Sequence, residues 1–369
     1  MKKHLRSAAV FGVAALALVA CGSKSTPASS SPAASASSGS PTASASSAAY
    51  NACMVLDTGG VDDRSFNQSS WQGMTDAASK NPNIKVSYVA SNSQNDYTPN
   101  LTAEQGKGCA TIIAVGGLMG DAVKAAAAAN ATQQYAEVDA SSSGPNVYGI
   151  QFNTAQGGFL GGYLAAGMTK TGKVATYGGL NIPPVTIYMD GFWEGVQYYN
   201  KIKHTTVKVL GWNETNQKGG TFAASFTDQG KGRSITQSFI SAGADIIFPV
   251  AGGTGLGSGA AALASGGKVS VIWVDTDGCL SAPQYCGVFL TSVVKGLASA
   301  VTTYVTTAAG GTALGGQNFI GTLSNQGTGL APYHDFATKV PAALQAEVTQ
   351  VGADITSGKI ALTSPSQPK

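Results

Sequence analysis

Residues 53–68 read Cys-Met-Val-Leu-Asp-Thr-Gly-Gly-Val-Asp-Asp-Arg-Ser-Phe-Asn-Gln. The apolar run Met54, Val55, Leu56 stops at Asp57, and a turn rich in glycines, acids and amides follows before a helical pattern begins. Apolar strand, Gly-rich polar turn, then helix is how an α/β domain presents chemistry at the carboxyl end of a strand. The cluster is denser in polar and aromatic groups than a connector requires. It reads as half of a ligand site.

Outward from this stretch the same rhythm continues. Strands are expected over 54–56, 84–90, 111–115, 135–138, 147–152, 173–177, 207–210, 245–250, 269–274, 288–291 and 319–323. Helical patterns alternate with them: 65–80 (with Trp71, Met74 and Ala78 on one face), one opening at Thr98-Pro99 as N-cap and first-turn proline, 121–130, the glycine-rich 154–169, 185–200, 231–242, one ending near 308, and 342–357. Such alternation means parallel sheets with right-handed crossovers. The units are grouped too unevenly for an eightfold barrel. Because the rhythm restarts near residue 154, an α/β protein of two doubly wound parallel-sheet lobes is expected. Four strands run straight into an acid or a glycine pair: Asp57, Asp139, Gly252-Gly253 and Asp275. Open α/β sheets bind ligands just beyond the carboxyl ends of their strands, so lobes facing each other would line one cleft.

At 369 residues the chain is long enough for two such lobes. It carries 22 Lys and Arg against 19 Asp and Glu, but Lys2, Lys3 and Arg6 lie within the first 21 residues, and setting those three aside leaves 19 of each sign. A neutral body without a basic tract gives no electrostatic case for nucleic acid. The basic start precedes an apolar run over 8–19 that is too short to span a bilayer, and Leu18-Val19-Ala20-Cys21-Gly22 then brings small residues to a cysteine. This resembles a bacterial lipoprotein signal, residues 1–21, with Cys21 as the lipidated mature N-terminus. Residues 22–49, almost wholly Ser, Ala, Thr, Gly and Pro, are expected to be a disordered tether with a mean reach of roughly 30 Å. Cys53, Cys109, Cys279 and Cys286 remain, an even number that suggests disulfides, with Cys279–Cys286 closing a loop and Cys53–Cys109 meeting across neighbouring strands. Metal binding is the weaker reading: no CxxC spacing or adjacent histidine supports it.

Several competing chemistries are poorly served. Val55-Leu56-Asp57-Thr58-Gly59 spells an aspartic-protease signature, but no second Asp-Thr/Ser-Gly supplies the partner aspartate. The glycines over 255–259 follow a strand as in a dinucleotide loop, but helix packing against the sheet is the better reading. An exported nucleoside hydrolase would need a metal-binding carboxylate cluster or an acid–base pair, and no nucleophile–histidine arrangement stands at a known spacing.

The segment from Asp57 to Gln68 closely resembles the opening motif of the basic membrane protein family, nucleoside-binding lipoproteins of ABC transporters similar to the purine nucleoside receptor lipoproteins. The resemblance continues through Ala136-Glu137-Val138-Asp139, Ser225-Phe226-Thr227-Asp228, Ala251-Gly252-Gly253-Thr254-Gly255, Trp273-Val274-Asp275-Thr276-Asp277 and Leu290-Thr291-Ser292-Val293-Val294-Lys295. It departs mainly over 275–286, where a cysteine-closed loop intervenes. The resemblance implies a type I periplasmic-binding-protein fold with a three-stranded hinge. Residues 50–153 and 275–316 are expected in the first lobe, 154–274 and 317–360 in the second, and 361–369 in a tail. It also implies ligand contacts at Asp57, Phe66, Asn67, Asp139, Phe226, Gly252, Asp275 and Lys295, with Phe226 and Gly252 alone coming from the second lobe. Expected partners are a nucleoside and an ABC permease, with the membrane held through Cys21 on its extracytoplasmic face. The protein is expected to be a monomer without cofactor, metal or catalysis. A receptor of the same fold for a sugar or another small polar molecule is the alternative, ahead of an exported nucleoside hydrolase.

Overall fold

The computed structural model describes residues 49–368, so the expected leader, Cys21 and nearly all of the expected tether lie outside the described residues. The chain begins β1 (Tyr50–Leu56), α1 (Phe66–Lys80), β2 (Ile84–Ala90), α2 (Tyr97–Gly106), β3 (Thr111–Val115), α3 (Gly120–Ala129), β4 (Gln134–Val138), β5 (Val147–Phe152) and α4 (Thr154–Met168). It continues β6 (Lys173–Gly178), α5 (Pro183–Lys203), β7 (Lys208–Leu210), α6 (Gln229–Ser241), β8 (Ile246–Val250), α7 (Leu256–Ala264), β9 (Ser270–Asp275), the short α8 (Gly278–Ser281) and β10 (Phe289–Lys295). The last elements are α9 (Leu297–Ala309), β11 (Asn318–Gly321), β12 (Thr328–Leu330) and α10 (Ala342–Thr356).

Two six-stranded sheets result, ordered β11-β5-β4-β3-β1-β2 and β12-β10-β9-β8-β6-β7. Five places of the second sheet, β10-β9-β8-β6-β7, repeat β5-β4-β3-β1-β2 of the first, so β1 corresponds to β6, β3 to β8 and β4 to β9. Pairing is parallel except where β12 closes antiparallel on β10. Central strands such as β3 and β8 are buried along their whole length, which is why they read as unbroken apolar runs rather than alternating ones.

The glycine-rich α4 has a packing reason. A Cβ at Gly162 would stand 2.0 Å from the Phe192 carbonyl oxygen, and one at Gly158 would stand 2.5 Å from that of Tyr188. From the other side, Cβ atoms at Gly191 and Gly195 would meet the Ala155 and Phe159 carbonyls at 2.1 Å. The two helices therefore lie backbone against backbone. Their glycines set where Tyr188 sits.

The lobe boundaries differ from those expected. β10 belongs to the second sheet and β11 to the first, where it pairs with β5. α9 packs on α1, where a Cβ at Gly73 would stand 2.6 Å from the Ala298 carbonyl and where Thr302 Oγ1 donates to the Gly73 carbonyl at 3.0 Å. Residues 275–295 thus lie in the second lobe and 297–321 in the first. The chain crosses between lobes at Asn153, at Gly296 and over 322–327. These crossings are laced together: Asn153 N donates to the Gly321 carbonyl at 2.7 Å, and Gly296 N to that of Gly327 at 2.9 Å.

Two further differences are local. α2 starts at Tyr97, behind a short turn where Ser93 and Asp96 form a capping box, so Thr98 and Pro99 fall inside the first turn. The three-residue β12 was not expected. Cys53 is joined to Cys109 with Cα atoms 5.8 Å apart, across neighbouring β1 and β3, and Cys279 is joined to Cys286.

Candidate functional site

Every residue expected to touch ligand lines one cleft: Asp57, Phe66, Asn67, Asp139, Phe226, Gly252, Asp275 and Lys295. The cleft encloses about 570 Å³, counting its open mouth. Asp57, Phe66, Asn67 and Asp139 come from the first lobe. Phe226, Gly252, Asp275 and Lys295 come from the second, which corrects the expected placement of Asp275 and Lys295.

The Asp57 carboxylate is fixed where β1 ends. Its Oδ1 accepts from Gly59 N at 2.9 Å and from Asn67 Nδ2 at 2.8 Å. Opposite, a Cβ on Gly116 would fall 2.7 Å from Oδ2, so only glycine leaves that oxygen room. Burial pushes the Asp57 carboxyl above its ordinary value, opposed by the Asn67 and Gly59 donors. Asn67 Oδ1 is buried without a hydrogen-bond partner.

Asp139 and Asp275 occupy equivalent places, beyond β4 and at the end of β9. Both adopt left-handed backbone, with φ of 69° and 66°, a conformation that aspartate tolerates better than most residues. Asp139 receives the Lys295 ammonium at 2.6 Å on Oδ1 and 2.7 Å on Oδ2. Burial pushes its carboxyl up and Lys295 opposes that. The same ammonium lies 4.8 Å from the Phe66 ring centroid and 5.3 Å from that of Phe152, within cation–π range. Asp275 Oδ1 accepts from Tyr188 OH at 2.6 Å, and Oδ2 accepts from Ser65 Oγ at 2.6 Å. Burial, then the Asp275 charge, drives the Tyr188 phenol well above its usual range, so it acts as a donor. Asp277 points elsewhere, capping α8 through Cys279 N and meeting His334 Nε2 at 2.7 Å.

Phe226 sits on the loop before α6. Its carbonyl accepts from Thr254 N at 3.0 Å, and its ring crosses Gly179, where a Cβ would clash at 2.3 Å. Gly252 has φ of 51° and lies against the same residue, where a Cβ would stand 3.6 Å from the Phe226 carbonyl oxygen. Phe226 and Phe66 reach the cleft from opposite lobes.

Three contributors to the cleft lie outside the expected site residues. Asp63 lines the cleft, and its two oxygens accept from the backbone N–H groups of Ser65, Asn67 and Gln68 at 3.0, 2.9 and 3.1 Å. Burial nonetheless pushes it up to about 7. The adjacent Asp62 is exposed, so the two acids face different ways. Tyr188 lies on a helix, and its only sequence signal is the Pro183-Pro184 helix start one turn before it. Gly116-Gly117 follow β3 as a fifth strand-end marker, visible in the sequence. Beside Ser65, the Arg64 carbonyl accepts from Trp273 Nε1 at 3.2 Å and Thr276 Oγ1 at 3.0 Å, joining the lobes.

A family model described as "ABC transporter substrate-binding protein PnrA-like" matches residues 50–364. The chain belongs to this family. Among curated relatives, the "ABC transporter nucleoside-binding protein BmpA" of Lactococcus lactis is 34% identical over 61% of this chain, which spans 64% of that protein. The "CD4+ T-cell-stimulating antigen" of Listeria monocytogenes is 33% identical over 79% of this chain and 82% of its own. "Basic membrane protein A" of Borreliella burgdorferi is 30% identical over 63% of this chain and 65% of its own. Among solved structures, an ABC transporter solute-binding protein from Aeropyrum pernix superposes with a TM-score of 0.75 at 23% identity, covering 85% of this chain and 93% of that one. The PnrA-like family fold is the type I periplasmic-binding fold, two parallel-sheet α/β lobes, and the cleft lies where such lobes face each other.

Proposed function

We propose that this substrate-binding protein captures nucleosides, purine nucleosides first among them, and delivers them to an ABC importer. The observation that carries the reading is the convergence of two phenylalanines from opposite lobes with three strand-end carboxylates in one cleft. A nucleoside offers a flat base for the rings, and base–aromatic stacking is worth roughly 1–3 kcal/mol per base. Its ribose hydroxyls are donors for Asp57, Asp139 or Asp275, and Lys295 supplies a cation to the sugar. Buried acids favour a neutral ligand over a nucleotide phosphate. The likeness to the nucleoside-binding protein of Lactococcus lactis supports the same ligand class.

Binding, not turnover, is the role assigned, and the lobes close over the ligand by motion at the three crossings. Lipid on Cys21 would hold a monomer at the outer face of the cytoplasmic membrane. No helix among the described residues is long and apolar enough to cross a membrane. A thermal-shift screen of purine and pyrimidine nucleosides, free bases, sugars and amino acids tests the ligand class. Purine nucleosides are expected to give the largest rise. A rise with a sugar and none with any nucleoside would assign the cleft to a sugar receptor. Free base released from inosine would make the protein an enzyme.

A further inference from the structure

A smaller cavity adjoins the cleft on the side of the lobe crossings. It encloses about 350 Å³ with its opening, and Asp139, Pro184 and Lys295 line both spaces. Gln151 and Thr154, on either side of the crossing at Asn153, form one wall; Ile187 of α5 and Ser366 of the C-terminal segment form others. Gln151 Oε1 and Thr154 Oγ1 are buried without any hydrogen-bond partner, and Thr154 is only 1% exposed. An unsatisfied buried polar group costs about 1–3 kcal/mol, so two on one cavity wall point to a polar occupant.

The C-terminal segment is built into this wall. Thr363 N and Ser364 N donate to the Glu194 carboxylate at 2.9–3.1 Å, and Ser364 Oγ donates to Asp190 Oδ2 at 2.6 Å. Ser366 Oγ meets Thr186 Oγ1 at 3.0 Å, and Gln367 Oε1 accepts from Asn153 Nδ2 at 3.0 Å. Among the described residues lining the cavity the cation is Lys295, already bound through its ammonium to both oxygens of Asp139. A phosphate entering here would face Asp139 without a cation of its own.

We propose that this annex is a specificity subsite for a small uncharged substituent on the 5′ carbon of the sugar, so that the protein takes 5′-substituted nucleosides as readily as their 5′-hydroxyl parents. The inference rests on the nucleoside reading above. The base leaves the sugar at C1′, and the 2′ and 3′ hydroxyls suit the strand-end carboxylates. C5′ is the remaining branch that can reach past the Asp139–Lys295 pair. Ile187 offers an apolar wall to a terminal methyl group, and the unpartnered Thr154 hydroxyl can donate to an ether or thioether atom; Gln151 Oε1, which only accepts, is left to a water beside the substituent.

The test is calorimetric titration of the full chain with adenosine, 5′-deoxy-5′-methylthioadenosine and adenosine 5′-monophosphate. The methylthio compound is expected within about threefold of adenosine or tighter, and the monophosphate at least about a hundredfold weaker. Ser366→Trp, which fills the annex from the C-terminal segment, should weaken the methylthio compound about tenfold while leaving adenosine within about threefold. Methylthio binding more than about threefold weaker than adenosine in the unmodified protein overturns the inference, whether or not the variant folds. Equal loss of both ligands in Ser366→Trp also overturns it. Binding of adenosine alone removes the subsite and leaves the nucleoside reading standing; binding of no nucleoside removes that reading and the subsite with it.

Discussion

Ser65 Oγ donates to Asp275 Oδ2 at 2.6 Å, joining the loop before α1 in one lobe to the end of β9 in the other. A hydrogen bond to a charged group contributes about 1.5–3 kcal/mol, and this one exists only when the lobes meet. Ser65→Ala should therefore weaken nucleoside binding by about tenfold. Solution scattering of the variant with inosine should show a larger radius of gyration than the unmodified protein. Unchanged affinity and scattering would remove the bond from the closing step.

Phe66 and Phe226 are expected to stack the base. Phe66→Ala and Phe226→Ala should each raise the dissociation constant by more than about tenfold, in line with the worth of one stacked ring. Calorimetry on each variant checks it, and unchanged affinity in either takes that ring out of the site.

Lys295 and Asp139 are both nearly excluded from solvent, with side chains 3% and 9% exposed. Removing one partner of a buried pair strands the other charge and destabilises by roughly 3–5 kcal/mol. Lys295→Met should therefore lower the melting temperature, and Lys295→Met with Asp139→Asn should recover much of the loss. Because burial and the Asp275 charge, both of which raise the Asp139 carboxyl, are then unopposed by Lys295 in the single variant, mild acid should restore its stability by protonating that carboxyl. A double variant no more stable than the single one would contradict this account.

Glu137 is fully buried on β4, with both carboxylate oxygens unpartnered. Burial first, then the charges of Asp121 and Asp139, push it up to about 8. A carboxyl raised in the folded state binds its proton more tightly there than in the unfolded chain, whose value stays near the ordinary 4.5. Its stabilising effect is complete below that value and is lost as pH rises through about 8. Asp63 and Glu194, both raised to about 7, act in the same direction. The melting temperature should fall between mildly acidic and mildly alkaline buffer. Glu137→Gln should match the unmodified protein in acid and exceed it in alkali, with a flat difference counting against the assignment.

Gly162 admits the Phe192 carbonyl where any side chain would collide. Gly162→Ala should cost about 1–3 kcal/mol by overpacking and, by displacing α5 and Tyr188, should also weaken ligand binding. Loss of stability without loss of affinity would show that α5 moves without carrying Tyr188.

The strand ends are legible in the sequence because a buried parallel strand is an apolar run with a sharp polar stop. Asp57, Asp139 and Asp275 mark such stops directly. The lobe assignment is not legible in the same way. β10 and β11 are both short apolar runs, and which sheet each enters depends on where the chain crosses at Gly296, a tertiary choice with no local signal. β12 is three residues long and gains its identity from β10. Tyr188 looks like an ordinary core residue of α5, and only the turn of the helix aims its hydroxyl at Asp275. Pairing of Cys53 with Cys109 follows from β1 and β3 being neighbours, a consequence of strand order.

The three crossings also govern the order in which the protein can be assembled. The first lobe lacks α9 and β11 until residue 321 has emerged, although its other strands lie before residue 153. A nascent chain ending at Lys295 would hold a complete run of second-lobe strands from β6 to β10 beside a first sheet whose β5 edge is bare and whose α1 has no partner helix. Exposed edges and apolar helix faces are where incomplete chains associate wrongly. Completion of the first lobe therefore depends on sequence that follows most of the second, and the two lobes mature together rather than one after the other.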